Sequence, residues 1–306
     1  MERTISYKSD GCEVTLGLEE AGSGPSVVLL PALSSISTRD EMHPLLTRLA
    51  SRFRAVAVDW PGFGNRPRPN FDWSPELLSK YLNWFLTEVV RQPHAIVAAG
   101  HAATYALYQS VQRPGTTGRL VLIAPTWRGP LPTMMDGQRP WFRRLRAVLD
   151  RPVVGSLLYR MNVSQFVVLK MARGHVYEDR EWLSGQRLAD KLAVTRAPGA
   201  KFGGVRFVTG GLDREESRAS FLDLARRANV PILVLYGEHT PPKSRAEMEA
   251  LAEIPGVRIE RLRAGKLAVH EEFPELVADA ALSFLSENQP PSAPALNSLP
   301  SVGGSR

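Results

Sequence analysis

Apolar and polar positions alternate at the start of the chain and then give way to short, fully apolar runs. Residues 4–8 and 13–18 alternate on either side of Ser9-Asp10-Gly11, which predicts a β-hairpin. Val27-Val28-Leu29-Leu30 is a continuous apolar run, as expected of a strand buried on both faces. Residues 40–53 carry Met42, Leu45, Leu46 and Leu49 at helical spacing. Residues 55–59 read as a second buried strand, ending in the breaker-rich turn Asp59-Trp60-Pro61-Gly62-Phe63-Gly64. Asp59 is expected to tie that turn down. Ser74-Pro75-Glu76 is an N-cap followed by proline at the first helical position, and opens a helix to about Arg91. Residues 95–99, 103–112 and 120–125 then read strand, helix, strand. Such alternation builds a parallel sheet.

The alternation breaks after Thr126. Residues 126–229 hold helical stretches, with no clear buried strand before Phe207-Val208-Thr209. It resumes with a strand at 231–236, a helix at 244–254, a strand at 257–262 and a last helix from about 271 to 285. The pattern predicts an α/β core in two parts, residues 1–126 and 230–287, with a mainly helical cap at 127–229. Residues 288–306, rich in Pro, Ser and Gly, are expected to be disordered.

Composition changes this picture in three places. The one cysteine, Cys12, cannot form an internal disulfide. The first residues lack an apolar leader, and no run of 18 apolar residues exists, so the chain is expected to be cytoplasmic, with peripheral membrane contact as its one membrane option. The net charge of +7 is uneven: residues 127–206 hold 15 Lys/Arg against 6 Asp/Glu. A basic face of this kind attracts nucleic acid, anionic lipid or acidic substrates. No groove-reading motif or stacking platform supports nucleic acid as the partner. The cap also carries Trp127, Trp141, Phe142, Tyr159, Phe166 and Trp182, and residues 153–171 are strongly apolar apart from Arg160 and Lys170. This fits a packed lid core, a pocket for an apolar small-molecule ligand, or a lid resting on an anionic membrane surface. With no phosphate-binding glycine loop and no Cys/His cluster, no cofactor and no metal are expected.

The chemistry-bearing stretch is residues 96–104, a strand running into a turn and a helix through Gly100-His101-Ala102-Ala103-Thr104. This is the layout of a nucleophile elbow, Gly-x-Ser-x-Gly, with Ala102 at the serine position. Five patterns in order, Leu29-Leu30-Pro31-Ala32-Leu33, Asp59 to Gly64, Gly100 to Thr104, Leu235 to Thr240 and Gly265 to Pro274, resemble the α/β-hydrolase superfamily. The resemblance is to members with a helical cap between the sixth and seventh strands. It implies a mostly parallel sheet flanked by helices.

It also implies where a Ser-His-acid triad would stand, and those positions are degenerate. Thr240 holds the place of the acid after the seventh strand, and Thr126-Trp127-Arg128 after the sixth offers no carboxylate. Lys266 follows the glycine where the histidine is usual, and His270 lies further on as the candidate base. His101 is a second, weaker candidate, with a structural role behind the elbow as its alternative. By the resemblance, the oxyanion-hole backbone donors are Leu33 and Ala103. Ser34, Ser35 and Trp127 are candidate ligand contacts, and Glu238 and His239, after the seventh strand, could offer an orienting carboxylate, with a plain loop role as the alternative. Three functions fit: a binding protein for a mainly apolar molecule, an enzyme with a site rebuilt around His270 or His101, and a peripheral membrane or protein-interaction module.

Overall fold

The computed structural model describes residues 1–9 and 11–287; Asp10 and the tail expected to be disordered, residues 288–306, lie outside the described residues. Strands β1 (Glu2–Ser9) and β2 (Cys12–Ala21) form the expected antiparallel hairpin, with Ile5 opposite Leu16. They extend a sheet whose other members are β3 (Ser26–Leu30), β4 (Arg54–Val58), β5 (Ala95–Ala99), β6 (Leu120–Ile123), β7 (Ile232–Gly237) and β8 (Val257–Leu262). The order across the eight-stranded sheet is β1-β2-β4-β3-β5-β6-β7-β8. β2 meets β4 antiparallel, and every pair from β4 to β8 is parallel. The inner strands are apolar without alternation because helices cover both of their faces. β8, at the edge, instead exposes Arg258, Glu260 and Arg261, charges that discourage pairing with another sheet.

One face of the sheet packs against α1 (His43–Leu49) and α13 (Pro274–Ser286), through Leu45, Leu49, Val277 and Phe284. The other packs against α2 (Pro75–Trp84) and α3 (Ala102–Gln112), through Leu78, Tyr81, Ala103 and Leu107. Ser74 caps α2 as its sequence predicts, its Oγ accepting the Leu77 N–H at 3.3 Å.

Between β6 and β7 the chain forms α4 (Pro130–Met134), α5 (Pro140–Leu149), α6 (Val154–Asn162), α7 (Gln165–Met171), α8 (Gly185–Arg196), α9 (Ala200–Val208) and α10 (Arg218–Arg227). The strand signal at Phe207-Val208-Thr209 is overturned: these residues end α9. Three strand-forming residues are too few to outweigh packing. Gly203 and Gly204 bring α9 so close to the core that an added Cβ would meet Gly62 O at 2.3 Å and Ser35 Oγ at 2.8 Å. Arg206 of α9 holds Asp150 at the end of α5 with two hydrogen bonds of 3.0 Å, tying cap helices to each other.

A buried ion pair fixes the loops on which the sheet opens. Asp59, just past β4, accepts the backbone N–H of Arg39 at 2.8 Å and its guanidinium at 2.8 Å. The same guanidinium donates to Asn65 at 3.2 Å and to Glu2 of β1. Tyr81 of α2 donates to the Asp59 carbonyl at 3.0 Å. Asp59 thus ties down its turn, as its position suggested, and also the segment after β3. Removing one partner strands a buried charge, so Arg39→Met should lower stability to urea by about 3–5 kcal/mol. Adding Asp59→Asn should return part of that loss, because no uncompensated charge then remains.

Candidate active site

The site lies where β3, β5, β6, β7 and β8 end, beneath the cap. β5 runs into Gly100, whose φ of +53° lies in the left-handed region. Its N–H still continues the sheet, donating to Ile123 O at 2.8 Å. His101 follows in right-handed helical conformation and α3 begins at Ala102. The apex of the elbow is therefore Gly100, and the sequence-based placement of the nucleophile position at Ala102 is two residues too late. The physical reason is the turn itself. Its apex needs a positive φ, which glycine adopts without the steric cost that a Cβ brings. A Cβ at Gly100 would meet only the Ala32 methyl, at 3.3 Å. The apex carries no side chain at all.

Moving the apex also moves the backbone donor. The Ala103 N–H is committed to Gly100 O at 3.2 Å, so it is not free to meet an oxyanion. The amide that follows the apex belongs to His101. Leu33, the other expected donor, is buried on the loop after β3. On that loop Ser34 Oγ accepts the Ile36 N–H at 3.4 Å and serves the turn. Ser35 instead faces the cap and borders a cavity of about 70 Å³, walled by Leu145, Leu149, Leu158, Tyr159, Val205 and Val208.

His101 points into the cap. Its Nε2 lies 3.1 Å from Leu212 O, which requires the proton on that nitrogen, and 3.5 Å from Asp213 Oδ1. Its edge meets the Phe207 ring at 84°. Burial pushes the Asp213 carboxyl above its ordinary range, opposed by His101 and by the Gly129 N–H. The ring anchors the cap to the elbow.

His270 sits in α12 (Val269–Glu272), between β8 and α13. It is 2% exposed, and neither ring nitrogen has a hydrogen-bond partner among the described residues. Its Nε2 lies 3.7 Å from Oε1 of Glu41. Glu41 follows β3, on a short 3-10 turn at Arg39–Met42. Its Oε1 also accepts the Ala32 N–H at 2.7 Å. Lys191 of α8 places its ammonium 3.5 Å from Glu41 and 2.8 Å from Glu271, and Tyr177 donates to Glu271 at 2.9 Å. Burial opposes charge on Glu41, yet His270, Lys191 and the Ala32 N–H hold its carboxyl below the ordinary range. Burial and Glu271 push the Tyr177 hydroxyl well above its ordinary range, so it stays a donor. Glu41, His270 and Glu271 group their ligating atoms within 4.8 Å of one another, but the cation beside the two carboxylates is Lys191.

The remaining sequence candidates lie apart from this cluster or offer it no charge. Thr240 is buried after β7, with its Oγ1 unpartnered among the described residues. Glu238 pairs with Arg261, and His239 with Glu178 at 3.0 Å, so the carboxylate expected there is engaged elsewhere. Trp127 is not brought to Ser34 and Ser35. It lines a separate groove of about 220 Å³ against α11 (Pro242–Glu249), donating to Glu247 at 3.2 Å and stacking on Phe221. Lys266 donates to Arg173 O on the surface.

Of this cluster only His270 is named from the sequence; Glu41 and Lys191 are the instructive omissions. Thr38-Arg39-Asp40-Glu41 has the spacing of a helix capping box, which accounts for the glutamate without a site. In the folded chain Glu41 turns to Ala32 instead. Lys191 carries no sequence signal that separates it from other cap lysines. Because the folded state depresses Glu41, its contribution to stability is complete above pH 4.5 and is lost as pH falls through the folded value. Glu41→Gln should cost roughly 2–4 kcal/mol near neutral pH and progressively less as pH falls below 4.5, as read by urea unfolding across an acid pH series.

Residues 27–280 match the family model described as the alpha/beta hydrolase family. An esterase from Thermogutta terrifontis superposes with a TM-score of 0.71 at 18% identity, covering 93% of this chain and 98% of that one. The haloalkane dehalogenase DatA from Agrobacterium tumefaciens C58 gives 0.69 at 20%, covering 93% and 96%. The epoxide hydrolase CorEH gives 0.70 at 17%, covering 94% and 99%. No curated protein matches in sequence. At these identities the solved structures speak for the fold alone, while the family model spans most of the chain. This chain belongs to the alpha/beta hydrolase family.

Proposed function

We propose that this protein binds a mainly apolar small molecule between the cap helices and the loop after β3, and that it does so without forming a covalent intermediate at the elbow. The observation that carries this reading is Gly100 at the apex. Covalent catalysis at an elbow needs a nucleophilic side chain there, activated by a base in hydrogen-bond reach. Glycine supplies no such atom, and neighbouring Ala102 and Ala103 supply none either.

The cavity above Ser35 has the matching chemistry, with leucine and valine walls and polar atoms from Ser35, Tyr159, Asn162 and Thr209. The Tyr159 hydroxyl is buried and unpartnered among the described residues. A buried polar atom without a partner is costly, and a ligand group or water would satisfy it. At about 70 Å³ the cavity admits only a short aliphatic group. Sites for drug-sized ligands run to roughly 300–1,000 Å³. A larger ligand requires α5 and α6 to part from α9.

One observation favours a second reading, an enzyme rebuilt around non-covalent acid–base chemistry. His270 is buried with both ring nitrogens unpartnered among the described residues and a carboxylate 3.7 Å away. A histidine so placed can take a proton from a water or from a carbon next to a carbonyl. The backbone amides of Leu33 and His101 would then stabilise the oxyanion.

Intact-mass spectrometry after incubation with a fluorophosphonate and with activated esters tests the first reading. The expected result is an unmodified wild-type mass and no burst of product. A covalent adduct on a residue under the cap would sink it. Native mass spectrometry of gently purified protein should show an apolar molecule retained. Ester or thioester turnover abolished in His270→Ala would transfer the conclusion to the second reading.

A further inference from the structure

The cap turns an apolar, basic face outward. Trp141 of α5, Val153, Val154, Leu157 and Met161 at α6, and Phe166 of α7 are all exposed, Val153 by 81% and Phe166 by 75%. Scattered apolar residues are normal on a surface, whereas a cluster of this density on adjoining helices marks a contact site. The same helices and the α5–α6 junction also carry Arg143, Arg144, Arg151, Arg160 and Lys170, all exposed. No acidic partner is paired with any of these five among the described residues. Residues 137–177 hold eight Lys/Arg and a single acid, Asp150, which Arg206 already engages.

We propose that the outer face of α5–α7 docks on an anionic lipid bilayer. Helices that lie in a membrane interface combine aromatic and long aliphatic side chains with Lys/Arg at the headgroup level. The charge argues against a second copy of this chain, because two-fold pairing of the face with itself would set arginines against arginines. No helix among the described residues is long and apolar enough to cross a membrane, so the contact is peripheral.

The same helices wall the small cavity. Leu145 and Leu149 of α5 and Leu158 of α6 line it, and Leu158 is also 38% exposed. The docked face is thus continuous with the cavity wall, and an apolar ligand would reach Ser35 from the bilayer rather than from water. This entry route rests on the small-molecule reading above; the docking itself does not.

Sedimentation with phosphatidylcholine vesicles containing about one-third phosphatidylserine tests the docking. The wild-type chain should bind at about 0.1 M salt, be released near 1 M, and ignore vesicles of phosphatidylcholine alone. Leu157→Glu with Phe166→Glu, and separately Arg143→Glu with Arg144→Glu, should each weaken partitioning at least about tenfold. All four residues are exposed and none lines the cavity, so the melting temperature should be unchanged.

Absence of binding to the anionic vesicles would overturn the proposal. So would binding that the Leu157/Phe166 pair leaves intact, since only surface adsorption would then remain. Binding to polyglutamate but not to vesicles, with the same arginine dependence, would overturn it in favour of an acidic protein partner. Native mass spectra of the Leu157/Phe166 variant without vesicles separate the two readings. Retained ligand alongside lost vesicle binding leaves the small-molecule reading standing and supports the docking.

Discussion

The loops that build the site depend on the buried pair between Arg39 and Asp59. Asp59 stands at the end of a central strand, and Arg39 opens the turn after β3. Their bond fixes the position of that turn, and Glu41 lies two residues further along it. Glu41 in turn holds the Ala32 N–H, and so the loop that carries Leu33 and Ser35. A surface ion pair could not transmit this order, because water would compete for both charges. Buried at 3% and 1% side-chain exposure, neither partner has a solvent alternative. Positioning of the site therefore begins with an interaction that touches no ligand.

Above that support the site combines parts whose chemistry points in different directions. The elbow keeps the left-handed turn that presents a nucleophile in this family, but glycine occupies it. Between β8 and α13 stands a buried histidine, His270, whose carboxylate neighbour comes from the turn after β3 rather than from the ends of β6 or β7. Lys191 stands between Glu41 and Glu271 and offsets part of the negative charge of these two carboxylates beside His270. Such an arrangement can polarise and can move protons, and it lacks the atom that would form a covalent bond at the apex.

The cap has two distinct surfaces. Its inner side is tied to the core by specific polar contacts: His101 on Leu212 O, Arg68 on Val194 O, Lys191 on Glu41. Its outer side is apolar and basic, with few internal partners. The unevenness of the chain's charge belongs mainly to this element, and the core beneath it is close to balance.

The fold was largely legible in the residues. Continuous apolar runs for strands buried on both faces, helical spacing between them, and the proline-opened helices after Ser74 and Phe273 all follow from local physics. The α9 region failed because Phe207-Val208-Thr209 favours a strand locally, while Gly203 and Gly204 settle it by contact with distant loops. The site was legible only in part. His270 could be named from its distance to the last helix, but its partner Glu41 lies 229 positions away in sequence. The apex was misplaced because spacing cannot distinguish Gly100 from Ala102; a backbone angle can. Sequence by itself determined the element order and the helical run between β6 and β7, since these depend on residue type and period. Which residues meet was decided only by tertiary structure, because burial of Glu41, Lys191 and Asp59 depends on segments that folding brings together.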